Sequence, residues 1–195
     1  MSKQTNKRVP QQTAIAKATG GNVNWPQEIE RMEASAKQKG GSRGDALHKV
    51  AKVIGGDDAG AALLRERAGD AGAQAFIEQP RNVLHKLPKL ARCIAAGTEW
   101  CDAHALSVEG RRTADASVAA SIAAIINTDG MTERQKGIIA ACNARYPGGA
   151  NAQMPASMEA LAFFGIVKRA DGAGKRNVPY IIVDEKAARA LLPKA

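Results

Sequence analysis

The stretch Thr132–Val183 reads TERQKGIIAACNARYPGGANAQMPASMEALAFFGIVKRADGAGKRNVPYIIV, and its reading decides the fold. Asp129-Gly130 ahead of it is a turn signal. Thr132-Glu133-Arg134-Gln135 is a capping box, in which the threonine hydroxyl takes a free backbone N–H and the glutamine reaches back to the cap. Ile138, Ile139, Cys142 and Tyr146 then recur at helical spacing, and Pro147-Gly148-Gly149 stops that helix. A second helix is expected from Pro155 or Ser157, burying Met158, Leu161, Ala162 and Phe164, with Gly165 as its C-terminal cap. Beyond the cap, Ile166-Val167 and the β-branched run Tyr180-Ile181-Ile182-Val183 flank a glycine-rich loop, the pattern of a β-hairpin. Pro179 lacks an N–H and suits the first residue of a strand or an edge.

Two short helices, a glycine cap and a hairpin with basic residues around its tip resemble the winged helix-turn-helix superfamily. The residues that carry the resemblance are Leu161, Gly165, Ile166, Val167, Lys168 and Arg169, with Lys175 and Arg176 at or just after the wing tip. It covers roughly a third of the chain, the size of one small module. Too few residues lie between Tyr146 and Pro155 for a separate helix. Either Ser117–Asn127 supplies the first helix of the trio, or the motif is abbreviated.

The resemblance implies a mainly α fold: an N-terminal helical domain, then a winged-helix-like domain with one β-hairpin. It also implies double-stranded DNA as partner. Lys168, Arg169, Lys175 and Arg176 would hold phosphates, which position a protein without reading sequence. Gln153, Ser157 and Glu159, near the start of the second helix, would meet base edges. Winged helices also serve as protein-docking modules, and that is the alternative role.

Composition points the same way. The 195 residues carry a formal net charge of +9, which favours an anionic partner and says nothing about fold. Residues 1–54 hold 10 basic and 4 acidic side chains, 55–112 hold 8 and 8, and 113–195 hold 10 and 7, so the excess lies at the two ends. Residues 1–24 are polar and aperiodic, and are expected to form a disordered arm whose Lys7, Arg8 and Lys17 lie along phosphates. A solubilising tail is the bland reading of the same composition.

Trp25-Pro26 opens a helix over 25–39, with Ile29, Met32 and Ala36 on a thin apolar face and Gly40-Gly41 as terminator. Ser42-Arg43-Gly44-Asp45 reads as the cap of the next helix, which buries Leu47, Val50, Ala51 and Ile54. Its Arg-Gly-Asp tripeptide is too short a match to indicate adhesion. Asp57–Gln79 reads as one further helix weakened by Gly60, Gly69 and Gly72, after which Pro80 stops it and Pro88 forces a kink or a fresh start. Thr98–Leu106 is expected as another helix. Glu109–Arg112 is the expected boundary, giving an arm at 1–24, a helical domain at 25–112 and a winged-helix-like domain at 113–195. A homodimer would form through the N-terminal helices.

Other chemistry is weakly signalled. His85, Cys93, Cys101 and His104 have a spacing that matches no standard zinc arrangement. Gly172-Ala173-Gly174-Lys175 lacks the spacing and the strand-to-helix context of a phosphate loop. Asp57-Asp58 and Asp184-Glu185 read as charges at helix starts rather than as an acid–base pair. No catalytic set is recognisable, so a non-enzymatic protein without cofactor is expected. With no apolar run near the ~20 residues of a membrane span and three cysteines that make no disulfide framework, a reducing cytoplasm is the expected compartment.

Overall fold

The structure is a computed structural model and describes residues 23–97, 150–169 and 180–192, with backbone only for 150–154. Helix α1 (Trp25–Lys39) starts with Pro26 in its first turn, and its inner face buries Met32 and Ala36. Trp25 and Ile29 lie half-buried against the core. Helix α2 (Gly41–Ile54) packs along α1 and buries Leu47, Val50, Ala51 and Ile54, the predicted face. It begins one residue before the expected Ser42 cap and has no side-chain cap. Gly44 supplies the reason these two helices can approach: a Cβ at this position would collide with the Ala36 carbonyl oxygen. The Arg-Gly-Asp tripeptide is therefore structural in its first two residues. Arg43 donates to the carbonyls of Ile77 and Gln79 at 3.3 and 3.2 Å.

The predicted helix over 57–79 is divided. Helix α3 (Ala59–Ala68) is capped by Asp58, whose Oδ1 accepts the Ala61 N–H at 2.7 Å. Gly69 and Gly72, both at φ 50, then turn the chain through a short 3-10 segment into α4 (Gln74–Ile77). Left-handed backbone at two sites is incompatible with one continuous helix, so these glycines break it rather than merely weaken it. Glu28 reaches across from α1 and accepts the Ala73 N–H at 2.6 Å, satisfying a donor at the start of α4. Arg65 does the converse at the end of α2, donating to the Ile54 and Gly56 carbonyls.

Helices α5 (Arg81–Leu84) and α6 (Leu87–Ala96) follow Pro80, and Pro88 sits in the first turn of α6, the fresh start the sequence allowed. Helix α7 (Ala150–Phe163) starts earlier than expected and carries Pro155 inside it. Ala156, Ser157, Met158, Ala160, Leu161 and Phe164 are all buried at its C-terminal half, which wedges between α5 and the hairpin. That burial offsets the cost of a proline that withdraws one helical hydrogen bond. Strands β1 (Val167–Arg169) and β2 (Tyr180–Ile182) pair antiparallel, Val167 opposite Ile182 and Arg169 opposite Tyr180. Helix α8 (Glu185–Ala190) closes the chain, with Asp184 capping the Ala187 N–H at 2.9 Å.

The described chain is thus mainly helical with one two-stranded antiparallel sheet. One apolar cluster runs from Met32 through Phe76 and Leu90 to Leu161, Val167 and Leu191. Phe76 of α4 and Phe163 of α7 touch at 5.5 Å between ring centroids, and Phe163 meets Phe164 edge-on at 5.3 Å. Among the described residues no helix is long and apolar enough to cross a membrane. The capping box at Thr132, the helices expected over 98–106 and 117–127, and the 109–112 boundary lie outside the described residues.

Candidate nucleic-acid interface

The hairpin is fixed by the way α7 ends. Gly165, at φ 73, donates to the Ala162 carbonyl at 3.0 Å, and Ile166 donates to that of Leu161 at 3.1 Å. These are the paired bonds of a Schellman motif, and Leu161 and Ile166 complete it as a buried apolar contact. The Ile166 carbonyl then accepts from Val183 at 2.8 Å and from Asp184 at 3.2 Å, tying the outgoing strand to the returning one. A helix cap therefore sets the direction in which the basic strand leaves.

Side chains alternate along a strand, so Lys168 and Arg169 lie on opposite faces of the hairpin. Val167 is buried beneath, and Arg169 shares its side with Tyr180. Arg169 is occupied there. Its Nη2 donates to Glu159 Oε1 at 2.7 Å and its Nε to the Tyr180 hydroxyl at 3.2 Å, while the guanidinium lies 5.5 Å from the tyrosine ring centre. The Tyr180 hydroxyl in turn donates to the same Glu159 oxygen at 2.9 Å. Burial, followed by the nearby Glu159 charge, pushes the tyrosine hydroxyl up to about 12, so it remains a donor at neutral pH. For Arg169 burial works against the charge, but the bonds to Glu159 and Tyr180 outweigh it and hold the guanidinium above its ordinary value. The pair Lys168-Arg169 does not present one cationic edge: Lys168 faces solvent and Arg169 braces the hairpin on α7.

No known protein family, curated protein or solved structure matches this chain.

Lys168 is exposed on the outer face of β1. Ser157, expected at a base edge, is wholly buried in this structure. Glu159 is likewise committed, to Arg169 and Tyr180. Gln153 lies in the part of α7 described by its backbone alone, and Lys7, Arg8, Lys17, Lys175 and Arg176 lie outside the described residues. Cys93 is buried, and Cys101 and His104 also lie outside that set.

The bracing role of Glu159 and Tyr180 was missed by sequence reasoning. The signal that would have found it is the cross-strand register, because once Arg169 is placed opposite Tyr180 the two must interact.

Proposed function

We propose that the protein is a non-enzymatic DNA-binding protein of regulatory or accessory type, with the β1–β2 hairpin acting as a basic wing. The observation that carries this reading is the exposed Lys168 on a short hairpin held by a helix cap, seven and eight residues ahead of Lys175 and Arg176 in the sequence. In this reading those three cations hold phosphates, and Lys7, Arg8 and Lys17 extend the contact as an N-terminal arm. Arg169 acts as the brace that keeps the strand seated. Gln153 remains the candidate for a base edge. The chain would act in the cytoplasm and pair with a second copy through its N-terminal helices.

The test is fluorescence anisotropy with a labelled mixed-sequence duplex at several salt concentrations. Each phosphate contact contributes about 0.9 to the slope of log affinity against log salt. Lys168→Ala should reduce the slope by about 0.9, and Lys175→Ala with Arg176→Ala by about 1.8, on all sequences alike. Absence of salt-sensitive binding at low ionic strength would overturn the reading. Protein docking is then the better account, favoured by Val183, a large apolar residue 56% exposed just after β2.

A further inference from the structure

A groove of about 420 Å³ lies between α2 and the α5–α6 segment. Its rim is cationic. Lys49 and Lys52 come from one face of α2, and His85, Lys89 and Arg92 follow one another at helical spacing on the other wall. Val53, Leu84 and Pro88 make an apolar floor. Lys49 and Lys52 are exposed and make no hydrogen bond or ion pair among the described residues. Arg92 is bonded to Asp58 at 3.2 Å, but that carboxylate also caps α3.

Like charges gathered on two facing helix surfaces cost stability in the free protein. Burial, then Lys49, Arg81 and Lys86, press His85 below its ordinary value, with Asp45 alone opposing them. Lys49 and Lys52, with no ion pair among the described residues, face Arg92 across one concavity, and a chain of phosphates would neutralise that field. Charges lining a concave surface also concentrate anions more than the same charges spread on a flat one.

We propose that the groove between α2 and α6 is a second phosphate-binding site, which takes the backbone of the duplex that the wing also contacts. The identity of the ligand rests on the DNA-binding reading above; the phosphate chemistry rests on the groove itself. The site would extend the footprint onto a segment whose sequence, taken end to end, is electrically balanced.

Two measurements on the full-length chain separate the two readings. In the first, duplex binding is followed against salt for Lys49→Ala/Lys52→Ala beside Lys168→Ala. The groove variant should lower the slope by about 1.8 and weaken binding at low salt, with the melting temperature held or raised as the like-charge repulsion is relieved. An unchanged slope in the groove variant, with a reduced slope in Lys168→Ala, would overturn the groove and leave the wing standing. A reduced slope in the groove variant alone would support the groove and remove the wing. In the second, inorganic tripolyphosphate is titrated while backbone amide shifts are recorded. Saturable shifts confined to residues 49–53 and 85–92, abolished in Lys49→Ala/Lys52→Ala, support phosphate binding there even if duplex does not bind. Shifts elsewhere, or none, overturn it.

Discussion

Glu159 sits where three side chains converge, and a single oxygen accepts from both Arg169 and Tyr180. An exposed ion pair contributes little, but a buried hydroxyl that loses its acceptor costs more. Glu159→Ala should therefore lower unfolding stability by about 1 kcal/mol and speed amide exchange at Lys168 and Ile181, while Tyr180→Phe has a similar effect. Because the two changes remove one shared network, the double variant should lose less than their sum in urea unfolding; strict additivity would show that the three groups act separately. His85 gives a second prediction at this scale. Its folded-state value is lowered, so between its ordinary value of 6.5 and the folded value the unfolded chain binds more protons. Stability contributed by His85 is thus full above pH 6.5 and falls as the pH drops below it. The loss of melting temperature between pH 7.5 and 5.5 should be smaller in His85→Gln than in the wild type. Equal losses would mean that the imidazole is not constrained by its neighbours.

At the scale of elements, signals carried by one segment were legible and those that need a partner were not. Pro26, Asp58, Pro88 and Asp184 mark helix starts because each acts through its own backbone or its own next turn. The hairpin was legible for the same reason: two apolar runs and a glycine-rich loop are local. By contrast, Arg43, Arg65 and Glu28 satisfy the ends of other helices, and their contacts span 34, 11 and 45 residues. No periodicity announces such caps. The burial of Ser157 in α7 is a tertiary feature too, because helical spacing identifies one apolar face and says nothing of a second neighbour covering the other. Gly44 belongs with these tertiary features. Gly44→Ala places a methyl against the backbone of α1, where no side chain can rotate away, and should cost about 1–3 kcal/mol in spite of alanine's better helix propensity. Gly55→Ala is the control: its backbone is in the right-handed region and its new methyl meets only ordinary contacts, so its thermal melt should match or exceed that of the wild type. Equal effects at the two sites would mean that the α1–α2 crossing is not limited by this approach.

At the scale of the whole molecule, charge is segregated in space in a way that the linear count conceals. Residues 55–112 are balanced in sequence, yet His85, Lys89 and Arg92 face Lys49 and Lys52 across one groove. The core is shared too: Phe76 belongs to the proposed helical domain and Phe163 to the proposed winged-helix-like domain, and their rings touch. Domains that fold alone keep such contacts few and polar, whereas aromatic pairs contribute about 0.5–1.5 kcal/mol beyond their buried area. Phe76→Ala should cost about 3–5 kcal/mol, as buried phenylalanines do, and the Phe76/Phe163 double cycle should return a coupling within the aromatic range. The expected melt of each variant is a single transition that moves as a whole, seen alike at Trp25 fluorescence and at the amides of β1. If residues 113–195 instead form an independent unit, Phe76→Ala will lower the transition at Trp25 and leave that of β1 in place. The isolated 113–195 segment will then melt cooperatively by itself. Coincidence or separation of those two probes decides whether the wing and the cationic groove are held rigidly enough to engage one duplex together.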